Sequence, residues 1–231
     1  MSNPTYKKVT HCIFDMDGLL LDTEQLYTVA YNRIANKYGK TFTWEHKGQT
    51  MGLQSHESAI AIVKALDLPM TPQELTDQLI PLYEELFPQA QLLPGAERIL
   101  RHLKDNNVPI ALATSSTEKS YELKTQKSKD VFALFHHRVL GGSDPEVKQG
   151  KPSPDIFLVA AKRFPDNPDP STCLVFEDAP NGVQAAVNAG MQVVMVPDEN
   201  LPKSYTEKAT LVLDSLTSFK PEEFGLPSFK N

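Results

Sequence analysis

Short apolar runs recur along the chain at 9–14 (VTHCIF), 108–114 (VPIALAT), 173–176 (CLVF), 191–196 (MQVVMV) and 210–213 (TLVL), each bounded by turn-forming or polar residues. Runs with so little polar alternation suit strands buried on both faces. Between the later runs lie segments of helical periodicity, SPDIFLVAAKRF and PNGVQAAVNAG, the second closing on Gly190 as a C-terminal cap. Strand alternating with helix predicts an α/β fold: a parallel sheet, right-handed crossovers and helices on both sides.

One interval breaks that rhythm. The first strand ends near Asp15 and the second begins near Val108, whereas a strand–helix–strand unit needs only about 30 residues. The excess reads as helix. TEQLYTVAYNRIANKYG carries Leu26, Ala30, Ile34 and Tyr38 at helical spacing and stops at Gly39; SHESAIAIVKALDL follows. In TPQELTDQLIPLYEELF, Thr71, Pro72 and Glu74 form the signature of an N-cap, a first-turn proline and a capping-box acid. Residues 20–89 are therefore expected to form an all-helical insert, with 1–19 and 90–231 as the core and FPQAQLLPGA as the return linker.

Composition narrows the functional classes. With 40% hydrophobic and 23% charged residues among 231, the chain has the make-up of a globular protein with a sizeable core. A formal net charge of −6 argues against a nonspecific nucleic-acid binder, which needs a basic surface to displace counterions. It does not argue against a small anionic substrate. Cys12 and Cys173 each open an apolar run, so they read as buried thiols in a reducing compartment. The N-terminus lacks the apolar stretch of a signal peptide, and no run approaches the ~20 residues of a membrane helix. The expectation is a soluble, cytoplasmic monomer that binds neither membrane nor nucleic acid.

The candidate chemistry lies at the ends of the runs. Open parallel sheets bind ligands at the carboxyl ends of their strands, and HCIFDMDG ends the first run on Asp15 and Asp17. In extended chain both acids face one side, Met16 faces the other, and Gly18 permits a sharp turn. Two converging carboxylates stay ionised only beside a shared cation or proton, a demand that Mg²⁺ meets. CLVFEDAPNG ends another run on Glu177 and Asp178, IALATSS ends on Thr114, Ser115 and Ser116, and GKPSPDIF sets Lys151 before a helix start.

In order, DMDGLLLDT, the Thr114 strand end, GKPSPD and FEDAPNG resemble the four motifs of the haloacid dehalogenase-like hydrolases. The resemblance implies a Rossmann-like core with the inserted helices as a cap, Mg²⁺ as cofactor and a small phosphomonoester as substrate. It implies that Asp15 is the nucleophile, forming an aspartyl-phosphate, and that Asp17 is the acid and base. For the first step Asp17 would start protonated, its pKa raised by enclosure and a neighbouring acid. Asp15, the backbone carbonyl of Asp17, Asp178 and Glu177 would serve the metal; Thr114, Ser115 and Lys151 would hold the phosphoryl oxygens. Beyond the motifs, LATSS, LVFEDAPNGV and AGMQVVMVPD are similar to members acting on pseudouridine 5'-phosphate, which implies that substrate.

The cap segment TMGLQSHESA resembles the family's substrate-specificity loop, so Gln54, Ser55 and His56 are the expected substrate contacts. Related sugar phosphomutases place an arginine there for a second phosphate. Gln54–Glu57 contains none, which favours a monophosphate, unless another basic residue such as Lys64 reaches in. A sugar phosphomutase, a sugar- or glycerol-phosphate phosphatase, and a non-catalytic scaffold are the alternatives. Asp22 and Thr23 are expected to cap the first cap helix, Trp44 to pack in the cap core, His136 and His137 to lie at a surface or edge, and EKSYELKTQKSKD to be a solvated helix face.

Overall fold

The computed structural model describes residues 5–48, 50 and 55–230, with the side chain of Ser55 left out. The chain begins with β1 (His11–Phe14) and then runs through α1 (Glu24–Ala35), α2 (Trp44–Gly48), α3 (Ser55–Leu66), α4 (Pro72–Leu86) and α5 (Ala96–Asp105). It continues with β2 (Ile110–Thr114), α6 (Glu118–Lys124), α7 (Lys129–Phe132), β3 (His137–Leu140), α8 (Asp155–Lys162), β4 (Cys173–Glu177), α9 (Pro180–Asn188), β5 (Gln192–Met195) and β6 (Leu211–Val212). The six strands form one sheet in the order β3-β2-β1-β4-β5-β6, every neighbouring pair parallel. β1 is therefore interior, with ladders on both sides.

Alternation along the strands divides the core in two. Cys12, Phe14, Leu112, Leu174, Phe176 and Val194 pack on one face with Ile99, Leu100 and Leu103 of α5. Ile13, Ala111, Val139, Val175 and Val193 pack on the other with α8 and α9. Phe14 and Phe176 stack across the β1–β4 ladder with centroids 4.4 Å apart. Because both faces are covered, the interior strands β1, β2 and β4 are buried along their whole length.

A third cluster belongs to the helices between β1 and β2. Ala30 and Ile34 of α1, Phe42, Ile62 and Leu66 of α3, and Leu75 and Leu79 of α4 bury one another. α4 starts as the sequence suggests: Thr71 and Glu74 form the reciprocal capping box, with Pro72 in the first turn. α1 stops earlier than the spacing of its apolar residues implies, at Ala35, and a 3₁₀ turn over Asn36–Tyr38 swings Tyr38 to an exposed position. Both ends of the insert meet beyond the carboxyl end of β1: the Leu93 N–H donates to the Leu20 carbonyl at 2.8 Å and the Asp22 N–H to the Gln91 carbonyl at 2.9 Å.

Neither β3 nor α5 is among the runs and periodic segments picked out above: β3 opens on His137 and Arg138 because it is an edge strand, and α5 buries Ile99, Leu100 and Leu103 at helical spacing. Among the described residues no helix is long and apolar enough to cross a membrane.

Candidate active site

The ladder carries β1 one residue past Phe14, the Asp15 N–H donating to the Phe176 carbonyl at 3.0 Å. The side chain of Asp15 is thus fixed beside the end of β4, where Glu177 and Asp178 follow. One carboxylate oxygen from each of these three buried acids lies within 4.8 Å of the others. Lys151 enters from the loop before α8, its ammonium donating to Asp15 Oδ1 and Glu177 Oε1, each at 2.6 Å. Glu177 also accepts the N–H of Asp178 at 3.2 Å.

Two glycines make the packing possible. Gly18 has φ +78°, and a Cβ there would lie 2.3 Å from Asp178 Oδ2. A Cβ on Gly182, in the first turn of α9, would lie 2.0 Å from the Glu177 carboxyl carbon. Neither position has room for a side chain.

The cluster is short of positive charge. Asp15 is pushed up to about 7, by burial above all, with Lys151 opposing and Glu177 and Asp17 adding to the rise. Asp178 is raised well above the usual carboxylate range by burial, then by Glu177 and Asp15. Burial disfavours the charged form of Lys151, but Asp15 and Glu177 outweigh it and raise the pKa. Among the described residues three carboxylates face one ammonium. An all-oxygen donor set with that deficit fits a hard divalent cation such as Mg²⁺.

Asp17 has a separate set of partners. Its Oδ1 accepts from Lys124 Nζ at 2.6 Å and Thr23 Oγ1 at 2.7 Å; its Oδ2 accepts from Ser116 Oγ at 2.9 Å and Thr114 Oγ1 at 3.3 Å. Lys124, the last residue of α6, has no exposed side-chain surface. It also donates to Tyr27 Oη at 2.8 Å and Ser116 Oγ at 2.9 Å, and lies over the rings of Tyr27 and Phe87. Three sequence expectations change here. The stretch EKSYELKTQKSKD is not uniformly solvated, since the cap covers Lys124. Thr23 makes no side-chain cap bond and bonds Asp17 instead. Asp17 is not raised: burial pushes it up, but Lys124, then Thr23 and Ser116, hold it below the usual carboxylate range.

A cavity of about 140 Å³ lies between the strand ends and the cap helices, reaching Asp15, Asp17, Thr114, Ser115, Lys151 and Asp178. Its cap side includes Glu24, Tyr27, Tyr31, Lys47, Thr50 and Ser58. Gln54 lies outside the described residues, as does the side chain of Ser55, while His56 is exposed on the first turn of α3 and Lys64 is exposed further along. Among the described residues, the basic side chain that the cap brings to the cavity is Lys47. Trp44 is only half-buried; its Nε1 donates to Asp198 Oδ1 at 3.1 Å, beside Lys47 Nζ on Asp198 Oδ2 at 2.9 Å. His136 and His137 lie at the start of β3, at the opposite end of the sheet from the acids. Cys12 and Cys173 are free and buried, and burial pushes both thiols up.

A doubly covered parallel sheet, with a buried acid cluster and lysine at its strand ends under a helical cap, defines a capped α/β hydrolase. The chain belongs to the haloacid dehalogenase-like hydrolases, whose family model matches residues 9–190. It is 58% identical to a probable pseudouridine-5'-phosphatase of Drosophila melanogaster, covering 99% of both chains. It is 50% identical to (DL)-glycerol-3-phosphatase 1, mitochondrial, of Arabidopsis thaliana, covering 96% of this chain and 76% of the relative. Among solved structures, a β-phosphoglucomutase from Clostridium difficile is similar with a TM-score of 0.75 and 26% identity, over 93% of this chain and 94% of the other.

Proposed function

We propose that this chain, a phosphoric monoester hydrolase by family, is a Mg²⁺-dependent phosphatase acting through Asp15, with pseudouridine 5'-phosphate as its preferred substrate. The observation that carries the reading is the buried Asp15 carboxylate, bonded by Lys151 and set in a cluster with more acids than ammonium groups. Asp15, Asp178, Glu177 and the backbone carbonyl of Asp17 would hold Mg²⁺, which supplies charge neutralisation for the phosphoryl oxygens.

The chain's own residues carry the two displacements. An Asp15 oxygen bonds to phosphorus as the ester P–O bond breaks, and the departing alkoxide takes a proton from Asp17. Water then attacks the aspartyl-phosphate and gives its proton to Asp17; phosphate leaves and Asp15 is regenerated. The ionised, fully bonded Asp17 of this structure suits the second step; the first requires Asp17 to take up a proton from solvent as substrate draws it from those donors. Lys151, Thr114 and Ser115 steady the phosphoryl oxygens. Residues 20–89 act as the cap that excludes water, pivoting on the paired segments near residues 20 and 92.

The relative at 58% identity favours the nucleotide substrate, and the one at 50% makes glycerol phosphate the second reading. A bisphosphate is disfavoured because Lys47, the cap lysine lining the cavity, is bonded to Asp198. The test is phosphate release from pseudouridine 5'-phosphate, glycerol 3-phosphate and hexose phosphates, with and without a chelator. Pseudouridine 5'-phosphate should give the highest kcat/KM, and chelation should silence the enzyme reversibly. Asp15→Asn should cut turnover on the order of a thousandfold or more while the melting temperature holds; full activity in that variant would remove the covalent mechanism.

A further inference from the structure

We infer that Glu24 selects the leaving group, its carboxylate accepting hydrogen bonds from hydroxyl or ring N–H donors of the departing alcohol; this rests on the phosphatase reading above. Glu24 opens α1, directly after the Thr23 that bonds Asp17. Its side chain keeps 25% of its surface, and the residue lines the cavity. It also borders the acid cluster, since a Cβ on Gly18 would touch both Asp178 and the Cγ of Glu24. The leaving side of a phosphoryl group bound at Asp15 is therefore within its neighbourhood.

Among the described residues no hydrogen bond reaches this carboxylate. Lys47 Nζ stands 3.7 Å from Glu24 Oε2, too far for one, while bonding Asp198 at 2.9 Å. Were Glu24 only a counter-charge for Lys47, the ammonium would close on it; it closes on Asp198 instead. With a quarter of its side chain exposed, the carboxylate keeps open lone pairs toward the cavity, where a ligand's donors can replace water. Its charge repels a second phosphate and welcomes a neutral alcohol with several donors, such as a sugar diol. A site built to hydrogen-bond such groups discriminates strongly against an analogue lacking them.

Glu24→Gln keeps the shape and removes the charge; Glu24→Ala removes the acceptor. Both are measured at saturating Mg²⁺ on pseudouridine 5'-phosphate and glycerol 3-phosphate, against phenyl phosphate, whose leaving group has no further donor. The ratio of kcat/KM for the hydroxylated esters to that for phenyl phosphate should fall about tenfold or more, chiefly through KM. Equal losses on all three esters would assign Glu24 to the charge balance of the acid cluster or to folding, and an unchanged ratio would leave it no role in selection; either result overturns the inference. If wild-type enzyme hydrolyses none of the three, the phosphatase reading itself fails. Should Glu24→Ala not fold, Glu24→Gln carries the comparison.

Discussion

Asp15 and Asp17 stand two positions apart in one strand extension, yet their electrostatics run in opposite directions. Asp15 shares its single ammonium with Glu177 and is raised; Asp17 has Lys124 and three hydroxyls and is lowered. The difference comes from Lys124, which the sequence places in a run of charged residues resembling a solvated face. Lys124→Met would leave the Asp17 charge among Tyr27, Phe87 and Thr23 without its ion partner. Breaking a buried pair from one side costs about 3–5 kcal/mol, so chemical denaturation of this variant should show a loss of that order. A loss below about 1 kcal/mol would mean that water already solvates Asp17.

At the scale of elements, one of the contacts between cap and core is small. α2 has five residues, and two of them, Trp44 and Lys47, bond one acid, Asp198, in the loop after β5. A helix this short has little stability of its own, so its placement depends on that acid. In Asp198→Ala the amides of α2 should exchange with solvent faster and KM should rise several-fold, both measured on the same protein; exchange at the wild-type rate would assign the placement of α2 to packing alone. The capping box of α4 and the apolar face of α3 were legible in the sequence because each is encoded within a few residues. The clamp was not, because Asp198 lies 151 positions from Lys47.

For the whole molecule, folding gathers acids from β1 and the end of β4 faster than it gathers cations, and stability must follow pH and metal together. Asp15, raised to about 7, is the measurable group. Its protonated form contributes stability that is fully present below the ordinary carboxylate pKa and is lost as pH rises through about 7. Mg²⁺ must displace that proton at low pH but meets a bare carboxylate above it. The rise in melting temperature on adding Mg²⁺ should therefore grow between about pH 5 and 8. A shift independent of pH across that range would place the ion away from Asp15.

By itself the sequence determined the alternation of strand and helix, the helical insert, and the positions of Asp15, Asp17, Thr114, Lys151, Glu177 and Asp178 at strand ends or helix starts. Local periodicity and turn chemistry suffice for that, since they record which side chains avoid water and where the chain turns. Only the tertiary structure decided that Lys124 is buried, that Thr23 and Lys124 bond Asp17, and that Glu24 faces the cavity while Lys47 bonds Asp198. A charged side chain enters an interior only where partners await it, and those partners are brought together by packing rather than by their spacing along the chain.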